Sequence, residues 1–214
     1  MRLEKASHKA VKYACLNFHY AKAVPTYSIG YSVFNDKKEW CGVVLFGGGA
    51  SVNMPKKFNL RNGQYLELNR MALNGKQSAT SKVLSIAMKL IKKECPTVKM
   101  LFSYADKGQE HLGIIYQATN WLYIENIESS GTEYFFNGIW KHDRGRYNWG
   151  VDFKKLPKRK KAGKHKYLYL LDKTLLPLCK SLSKPYPKKA QEVNEDKRDA
   201  SSIEIGGSNP TLAL

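Results

Sequence analysis

The sequence predicts an α/β domain in which helices cover both faces of a mixed central sheet. A hairpin pattern near the N-terminus requires antiparallel strands, and two strand-helix-strand patterns further along require parallel ones. The chain has 214 residues, of which 43% are hydrophobic, so it can bury one sizeable core. We therefore expect one folded domain over residues 1–187 and a disordered polar tail over residues 188–214.

The N-terminal part carries one helix followed by the hairpin. Ser7 suits an N-cap, and apolar residues at helical spacing predict an amphipathic helix over residues 7–20. Two β-rich runs, 27–34 and 41–46, flank turn-forming residues and predict an antiparallel pair. A run of three glycines at 47–49 then ends the second strand, without the lysine and hydroxyl residue of a P-loop.

The next elements form the first strand-helix-strand unit. Alternating residues predict a strand over Tyr65–Leu73, and strict alternation places Arg70 on its mainly apolar face. Apolar residues at helical spacing predict a helix over residues 81–94, which Pro96 ends. The next strand begins at Met100, so the two strands of this unit should be parallel.

A second unit follows directly and shares that strand. An apolar and aromatic run over 100–105 predicts a buried strand, and a short helix is expected over 109–118 before a strand over 121–124. This order brings Ser103 and Asp106 to the carboxyl end of a strand beside a helix N-terminus. Polar groups at such an edge are where α/β proteins bind ligands.

The last third of the domain is expected to contain a hairpin, a basic loop, a strand and a short helix. Residues 132–140 are β-rich, and their Asn-Gly dipeptide at 137–138 is typical of a hairpin turn. Residues 154–166 hold eight lysines and arginines and no acidic residue, which predicts an exposed basic loop. A final strand is expected over 165–171 and a helix over 175–182.

The charge of the chain indicates a polyanionic partner. Its formal net charge is +18 at pH 7, far more than solubility requires, and this favours nucleic acid over an anionic membrane. The sequence shows neither a long apolar run nor a secretion signal, so we expect a soluble, intracellular protein. The four cysteines lack zinc-binding spacing, and no metal is expected.

The side chains expected to contact DNA lie mainly in the basic loop. Long cationic side chains neutralise phosphates and give binding little sequence preference. The predicted contacts are Lys155, Lys158, Arg159, Lys160, Lys161, Lys164, Lys166, Arg144 and Arg146.

Several strings of the sequence resemble a known family. The order of elements is similar to the acyltransferase fold of the GNAT N-acetyltransferases. The strings NFHYAKAVP at 17–25, GVVLFGGGA at 42–50, ELNRMAL at 67–73, FSYADKGQEHLGIIYQATNWLYI at 102–124 and GKHKYLYLLD at 163–172 resemble the Mom family of Mu-like bacteriophages. The resemblance covers residues 1–187, and FSYAD followed by GIIYQATNW is its most specific part.

This resemblance implies a phage-encoded transferase that acts on double-stranded DNA in the host cell cytoplasm. Its product would be N6-carbamoylmethyladenine, which hides phage DNA from host restriction enzymes. Carried over by motif, the functional positions fall on His19, Tyr20, Arg70, Asp106 and Tyr116. Ser103 in the string FSYAD is a further candidate.

These residue types fit a reaction on an extruded base. The N6 amine of adenine is paired inside a duplex and its lone pair is delocalised, so the base must be flipped and held. Tyr20, Tyr104 and Tyr116 suit stacking or hydrogen bonding, and Asp106 suits an acceptor or general base. Ser103 would orient a donor carbonyl, and the arginine of ELNR would stabilise negative charge in the transition state.

The sequence leaves the donor open. GNAT enzymes carry a glycine-rich pyrophosphate loop between a strand and its helix, whereas here the segment reads LNGKQSATS and holds a single glycine. The donor is acetyl-CoA or another acyl or glycyl donor, an aminoacyl-tRNA included. The candidate donor-binding positions in this segment are Gly75, Ser78, Thr80 and Ser81.

Each candidate residue also has a structural interpretation. Asp106 fits the N-cap of the following helix, and Arg70 fits an ion pair with Glu67 or Asp106. His19 fits a solvated histidine near a helix C-terminus, and Tyr116 fits a core residue.

The sequence also leaves other functions open. A GNAT N-acetyltransferase acting on a protein or small-molecule amine would bind acetyl-CoA strongly without DNA affinity. A non-enzymatic basic DNA-binding protein would bind DNA and leave it unmodified. An S-adenosylmethionine-dependent methyltransferase fits poorly, because NFHY lacks the prolines of its amine clamp and no glycine-rich turn precedes it.

Overall fold

The computed structural model describes residues 1–49, 55–128, 131–143, 147 and 149–188. Ten strands and four α-helices follow one another in these segments. In chain order they are β1 Arg2–Lys5, α1 His8–Asn17, β2 Ile29–Phe34, β3 Trp40–Gly47, β4 Tyr65–Leu73, α2 Thr80–Glu94, β5 Met100–Asp106, α3 Ile114–Gln117, β6 Leu122–Ile127, β7 Thr132–Phe136, β8 Ile139–His142, β9 Lys158–Lys160, β10 Lys164–Leu170 and α4 Leu176–Leu182.

Seven of the strands form one mixed sheet in the order β1-β2-β3-β4-β5-β10-β6. Within this sheet β4 and β5 pair in parallel, and every other neighbouring pair is antiparallel. The predicted fold class and the β2-β3 hairpin are therefore confirmed. β5 and β6 run in the same direction, as predicted, but they are not neighbours, because β10 lies between them.

Helices cover both faces of this sheet. Leu84 and Ile91 of α2 join Tyr116 of α3 in the largest buried cluster. Val11 of α1 and Cys179 of α4 belong to two further clusters, whose strand residues alternate with those of the first and so point to the opposite face. Burial of these apolar surfaces is the main force that holds the layers together.

A β-bulge in β4 changes the predicted face of Arg70. Leu45 pairs with Arg70 and Phe46 pairs with Leu68, so Asn69 is an extra residue in β4. The bulge reverses the alternation, because Leu68 packs in the cluster of α2 whereas Ala72 packs in the cluster of α1. The prediction that Arg70 shares a face with Leu68 is therefore wrong.

β4 and β5 separate after three residue pairs. Their parallel pairing covers only Tyr65 to Glu67 against Met100 to Phe102, although both strands continue. Backbone groups past this point lose their ladder partners and must bond elsewhere. The separation opens a gap at the carboxyl edge of the sheet.

The segment after β5 is less helical than predicted. A 3-10 turn at Lys107–Gln109 and the single turn of α3 replace the expected helix over residues 109–118. Gly113 between them has a φ of +74°, and a Cβ there would lie 2.4 Å from the ring of Tyr167. Only glycine permits this approach, so the helix is broken and residues 110–113 form a loop.

A separate three-stranded sheet, in the order β8-β7-β9, is inserted between β6 and β10. The β7-β8 hairpin is confirmed, and both of its turn residues, Asn137 and Gly138, have positive φ. The basic segment over residues 154–166 is not one exposed loop, because β9 pairs with β7 and β10 pairs within the main sheet.

Some of the predictions fall outside the described residues, namely Arg144, Arg146 and the tail from residue 189 onward. The described part of the chain contains no helix that is both long and apolar enough to cross a membrane.

Candidate functional site

A cavity of about 230 Å³ lies where β4 and β5 separate. The segment after α1, the two separating strands, the loop before α3, α3 itself and the start of β10 contribute its walls. The six residues predicted from NFHY, ELNR, FSYAD and IYQATNW all line it. The full lining is His19, Tyr20, Glu67, Leu68, Asn69, Arg70, Met71, Ser103, Tyr104, Asp106, His111, Ile115, Tyr116 and Lys164.

A second cavity of about 290 Å³ adjoins the first. It is largely apolar and is formed by the loop over residues 110–113 together with α3. Tyr104, His111, Ile115 and Tyr116 line both cavities and so form their shared wall.

Asp106 ends β5 and uses its two carboxylate oxygens differently. Oδ1 accepts from Gly108 N at 2.9 Å and caps the following 3-10 turn. Oδ2 accepts from Tyr20 Oη at 3.2 Å on the cavity side. The Tyr20 ring packs against His19 at 4.3 Å and against His111 at 6.1 Å between centroids, so Asp106 lies beside an aromatic wall.

His19 and Arg70 connect the segment after α1 to the bulge of β4. Arg70 Nη1 lies 3.2 Å from His19 Nδ1 and donates to Ala23 O at 2.8 Å. Ala21 N donates to the same Nδ1 at 3.1 Å. Because both partners of Nδ1 can only donate, Nδ1 accepts and the neutral ring carries its proton on Nε2.

The surroundings of His19 favour this neutral form. Burial, followed by the positive charges of Arg70, His111 and Lys22, lowers the pKa of His19 to about 4. The interpretation of His19 as a solvated histidine is therefore wrong.

We expect the lowered pKa of His19 to appear as a pH dependence of stability. In the unfolded chain the ring titrates near 6.5, so the folded state binds fewer protons between pH 6.5 and pH 4. The free energy of unfolding should therefore fall as the pH falls through this window. His19→Gln should lose this part of the dependence in urea unfolding curves at pH 7 and pH 5. His8→Gln, at an exposed position in α1, is the control, and equal pH dependence in wild type and His19→Gln would contradict the lowered pKa.

Arg70 is a half-buried cation, and among the described residues no carboxylate lies within ion-pair distance of it. The interpretation of Arg70 as an ion-pair partner of Glu67 or Asp106 is therefore wrong. Its Nε is also buried, without a hydrogen-bond partner in the part of the chain that the structure describes. Burial lowers the pKa of Arg70, but a guanidinium stays charged at neutral pH. The cation therefore lies on the wall of the cavity without a carboxylate partner among the described residues.

Ser103 and Tyr116 form a buried network at the point where the strands separate. Ser103 Oγ donates to Leu68 O at 2.9 Å and so replaces a missing ladder bond. Its one proton is used there, so it accepts from Tyr116 Oη at 2.8 Å. The ring of Tyr116 packs on Trp121 at 5.1 Å and on Tyr167 at 4.9 Å. Tyr116 is therefore a core residue that also forms part of the cavity wall.

The tyrosines of the cavity are neutral donors at pH 7. Burial raises the pKa of Tyr20 to about 12, and the carboxylate of Asp106 adds to this shift. Burial likewise raises the pKa of Tyr104 and of Tyr116 to about 12. The tyrosines therefore do not serve as bases at pH 7, whereas the cavity also holds the carboxylates of Asp106 and Glu67 and the imidazole of His111.

Several lining residues were missed or assigned elsewhere, among them Glu67, Asn69 and Lys164. Glu67 and Asn69 belong to the string ELNRMAL, which was itself the signal that could have found them. Lys164 was assigned to DNA phosphates, but it is half-buried and its Nζ lies 5.6 Å from the centre of the Tyr104 ring. It pairs opposite Asp106 in the register of β10 and β5, which places a positive charge at the end of β5.

The predicted donor-binding residues Gly75, Ser78, Thr80 and Ser81 line neither cavity. They lie at the junction of β4 and α2, with Gly75 at a φ of +85° and Gln77 Nε2 donating to Thr80 Oγ1 at 3.2 Å. Because β4 and β5 are parallel, this junction lies at the same edge of the sheet as the gap. Their role in donor binding stays a prediction.

The predicted DNA contacts divide into exposed and paired side chains. Arg159 pairs with Glu133 at 2.9 Å, and Lys161 is half-buried. Lys166 is only 5% exposed and pairs with Glu125 at 3.1 Å, so the prediction that it lies on an exposed loop and contacts phosphate is wrong. The exposed lysines of the basic segment are Lys154, Lys155, Lys158 and Lys160.

The described residues contain no group of three or more histidine, cysteine or carboxylate side chains arranged to hold a metal ion. The four cysteines are free thiols; Cys95 is partly exposed and the other three are buried.

The mixed sheet and the gap between its two parallel strands define a GNAT-type acyltransferase fold. A chimera of the spermidine N-acetyltransferase SpeG from Vibrio cholerae and hSSAT has a TM-score of 0.50 at 8% identity, covering 82% of this chain and 99% of that one. A Bacillus subtilis acetyltransferase in complex with CoA has a TM-score of 0.49 at 11% identity, covering 79% of this chain and 97% of that one. The likeness to the first of these structures shows the fold alone.

The chain belongs to the Mom protein family, whose model matches residues 1–188. Methylcarbamoylase mom of Escherichia phage Mu is 33% identical over 110 residues, which make up 50% of this chain and 45% of that protein. The match thus spans just under half the length of this relative. The resemblance found in the sequence strings is confirmed.

Proposed function

We propose that this protein is a phage DNA-modifying transferase that converts the N6 amine of adenine to N6-carbamoylmethyladenine. The observation that carries the proposal is the gap between β4 and β5, where the residues of four family-like strings surround one cavity. Membership of the Mom family and the name of the phage Mu relative support the reaction. In this proposal residues 1–187 form the catalytic domain, and the modification protects viral DNA from restriction in the host cytoplasm.

Asp106 and the neighbouring rings suit the extruded base. Asp106 Oδ2 accepts one bond from Tyr20 and keeps a lone pair for an N6 hydrogen. When N6 forms its new bond it loses a proton, which this carboxylate can accept as general base. The flat rings of Tyr20 and Tyr104 line the same cavity and offer stacking surfaces for the base.

Arg70 and Tyr116 suit the donor. Among the described residues no carboxylate pairs with the Arg70 guanidinium and its Nε has no hydrogen-bond partner, so it can bind a donor carbonyl and stabilise the oxyanion that forms on it. Ser103 gives its proton to Leu68 O and accepts from Tyr116, so we assign it as a positioning residue for Tyr116. This replaces the earlier interpretation of Ser103 as a ligand of the donor carbonyl.

The composition of the product favours a glycyl donor over acetyl-CoA. A carbamoylmethyl group contains a nitrogen that an acetyl group lacks, and it is isomeric with a glycyl group. Transfer of glycyl to N6 breaks the bond to its carrier and releases the N6 proton with the carrier. Attack of the glycyl amine on C6, with breakage of the original C6–N6 bond, then gives the product without an oxidant or reductant. A glycyl thioester or a glycyl-tRNA would serve as donor.

The test is mass spectrometry of nucleosides from plasmid DNA recovered from bacteria that express the full chain. We expect a deoxyadenosine heavier by one carbamoylmethyl group, absent from cells that carry the empty vector. In cells fed nitrogen-15 glycine, the modified nucleoside should carry one label more than unmodified deoxyadenosine from the same DNA. An equal label content in the two nucleosides would exclude the glycyl donor while leaving the DNA modification in place.

Unmodified adenine from well-expressed protein, in cells that also carry the other phage genes, would contradict the proposed function. Strong acetyl-CoA binding without DNA binding would then select a GNAT N-acetyltransferase acting on another amine. DNA binding without acetyl-CoA binding would select a non-enzymatic DNA-binding protein.

The exposed lysines of the basic segment are proposed to contact DNA phosphates. Replacing both Lys158 and Lys160 with glutamine should weaken duplex binding and lower the slope of log affinity against log salt by about 1 for each lost contact. Fluorescence anisotropy with a labelled duplex over a salt series measures this slope. Lys92→Gln with Lys93→Gln, at the exposed end of α2, is the matched control. An unchanged slope in the Lys158 and Lys160 variant would show that the phosphate contacts lie elsewhere on the protein.

A further inference from the structure

The three-stranded insertion has two faces of different character. The strand registers pair Phe135 with Trp140 and Glu133 with Arg159, so these four side chains project from one face. Tyr134, Phe136 and Lys141 belong to the alternate set and project from the other.

The second of these faces is covered in part by the chain itself, and Ile139 on this face is 57% exposed. Phe136 stacks on Trp149 with ring centroids 5.2 Å apart and planes inclined by 4°. Tyr134 meets the edge of Trp149 at 6.2 Å and of Phe153 at 5.6 Å. The ammonium of Lys141 lies 4.8 Å above Phe136. This face therefore has a small core of its own, and the insertion does not need its other face for packing.

The first face presents aromatic rings to solvent. Phe135 is 40% exposed and Trp140 is 36% exposed, with their centroids 5.4 Å apart. The guanidinium of Arg159 lies 4.4 Å above the Trp140 ring, and its Nε and Nη2 both bond to one carboxylate oxygen of Glu133 at 2.9 Å. The rings and the planar cation are thus held in place before any ligand arrives.

The surroundings of this face select a polyanion with flat groups. Lys158 and Lys160 flank Arg159 on the edge strand β9 and are exposed, and residues 154–166 contain no acidic residue. Their side chains alternate with that of Arg159, so they project from the opposite face and place positive charge at the edge of the platform. Aromatic side chains with interleaved cations on an antiparallel sheet are what single-stranded nucleic acids bind, because each base has a π-face to stack.

The insertion is also joined to the reaction cavity. β9 leads through Gly163 to Lys164, which lines that cavity, and Gly163 O accepts from Lys107 N at 3.1 Å. A Cβ at Gly163 would lie 2.4 Å from Ile127 O, so the junction is tightly packed.

We propose that Phe135, Trp140 and Arg159 form a stacking platform for unpaired DNA bases beside the reaction cavity. The inference rests on the proposed function in one respect, since extrusion of an adenine is what leaves bases unpaired. The platform would hold bases of the opened region by stacking while the exposed lysines hold the phosphates. It predicts that this protein binds single-stranded DNA with an affinity that depends on aromatic side chains.

The experiment is a titration of the full chain with a dye-labelled oligothymidine and with a matched duplex. Trp140→Ala and Phe135→Ala should each weaken single-strand binding by on the order of tenfold or more, and leave the salt slope unchanged because no phosphate contact is lost. Tyr13→Ala is the control, because Tyr13 is an aromatic residue of α1 that is 54% exposed. Wild-type single-strand affinity in both platform variants would overturn the proposal, as would the lack of single-strand binding by the wild type.

A second measurement needs no destabilising change. Stacking on a base quenches tryptophan fluorescence, so oligothymidine should quench the wild type more than Trp140→Phe, which keeps a flat ring and the affinity. Equal quenching in the two proteins would overturn the platform. The proposed function is tested separately, through the presence of modified adenine. Weakened single-strand binding in the two alanine variants, together with a wild type that makes no modified adenine, would support the platform and contradict the function.

Discussion

Replacing Asp106 with alanine is expected to abolish adenine modification and to leave DNA binding close to the wild-type level. Asp106 Oδ2 faces the cavity, whereas the exposed lysines proposed to bind phosphate lie on β9 and before it. Loss of a positioned general base lowers a rate by about 100-fold to 10,000-fold, which would remove detectable modified nucleoside. The measurements are the fraction of modified deoxyadenosine in plasmid DNA and the anisotropy of a labelled duplex.

Asp172→Ala is the matched control for this prediction. Asp172 Oδ1 accepts from Thr174 N at 2.9 Å and caps a 3-10 turn, just as Asp106 Oδ1 accepts from Gly108 N at 2.9 Å. Each alanine variant therefore loses the cap of a 3-10 turn, but Asp172 lines neither cavity.

The control separates a chemical role of Asp106 from a structural one. Asp106→Asn keeps an oxygen for the cap and removes the charge, so it should lose modification with little change in stability. Normal modification in Asp106→Asn and Asp106→Ala would remove Asp106 from the mechanism. If Asp172→Ala loses as much modification as Asp106→Ala, then the loss of a cap is enough to abolish modification, and the Asp106 carboxylate needs no chemical role.

Local patterns in the sequence were enough to predict most of the elements. β4 and α2 have the predicted type and nearly the predicted bounds, because their apolar periods extend over nine and fifteen residues. The hairpin of β7 and β8 follows from the turn chemistry of Asn137 and Gly138. These signals depend only on residues close in sequence.

Features that depend on distant residues were not predictable. β10 enters the sheet between β5 and β6 through pairing with residues 37 to 70 positions away, and local sequence patterns carry no signal for such pairing. The bulge at Asn69 is one extra residue in an otherwise regular alternation, so strict alternation gave the wrong face for Arg70. In the sequence Lys166 is one lysine of a basic run, which predicts exposure, but the register of β10 buries it beside Glu125.

The candidate site was predicted from strings and not from periodicity. Four separate strings meet only because β4 and β5 separate and the segment after α1 reaches their edge. Glu67 and Lys164 enter the same cavity through the pairing of strands, which the sequence alone does not determine. The residue types in the sequence therefore indicated the chemistry of the site, whereas its geometry became known only from the fold.

Arg70→Ala is expected to lower modification by on the order of 100-fold or more, with DNA binding retained. Its guanidinium lines the cavity and is bound there to a backbone carbonyl and a neutral histidine. A donor oxyanion stabilised by this cation would lose that stabilisation, an effect comparable to the loss of an oxyanion-hole donor. Arg61→Ala, at an exposed position shortly before β4, is the control.

Stability measurements on Arg70→Met distinguish a functional arginine from a structural one. A structural arginine offsets the cost of its burial with a carboxylate, so its removal leaves an unpaired charge and destabilises the protein. Among the described residues no carboxylate pairs with Arg70, so methionine should relieve an uncompensated desolvation and leave the unfolding temperature no lower than that of the wild type. Lost modification with undiminished stability would mean that the cation is kept for the donor. A marked fall in the unfolding temperature would mean that it is kept for the fold.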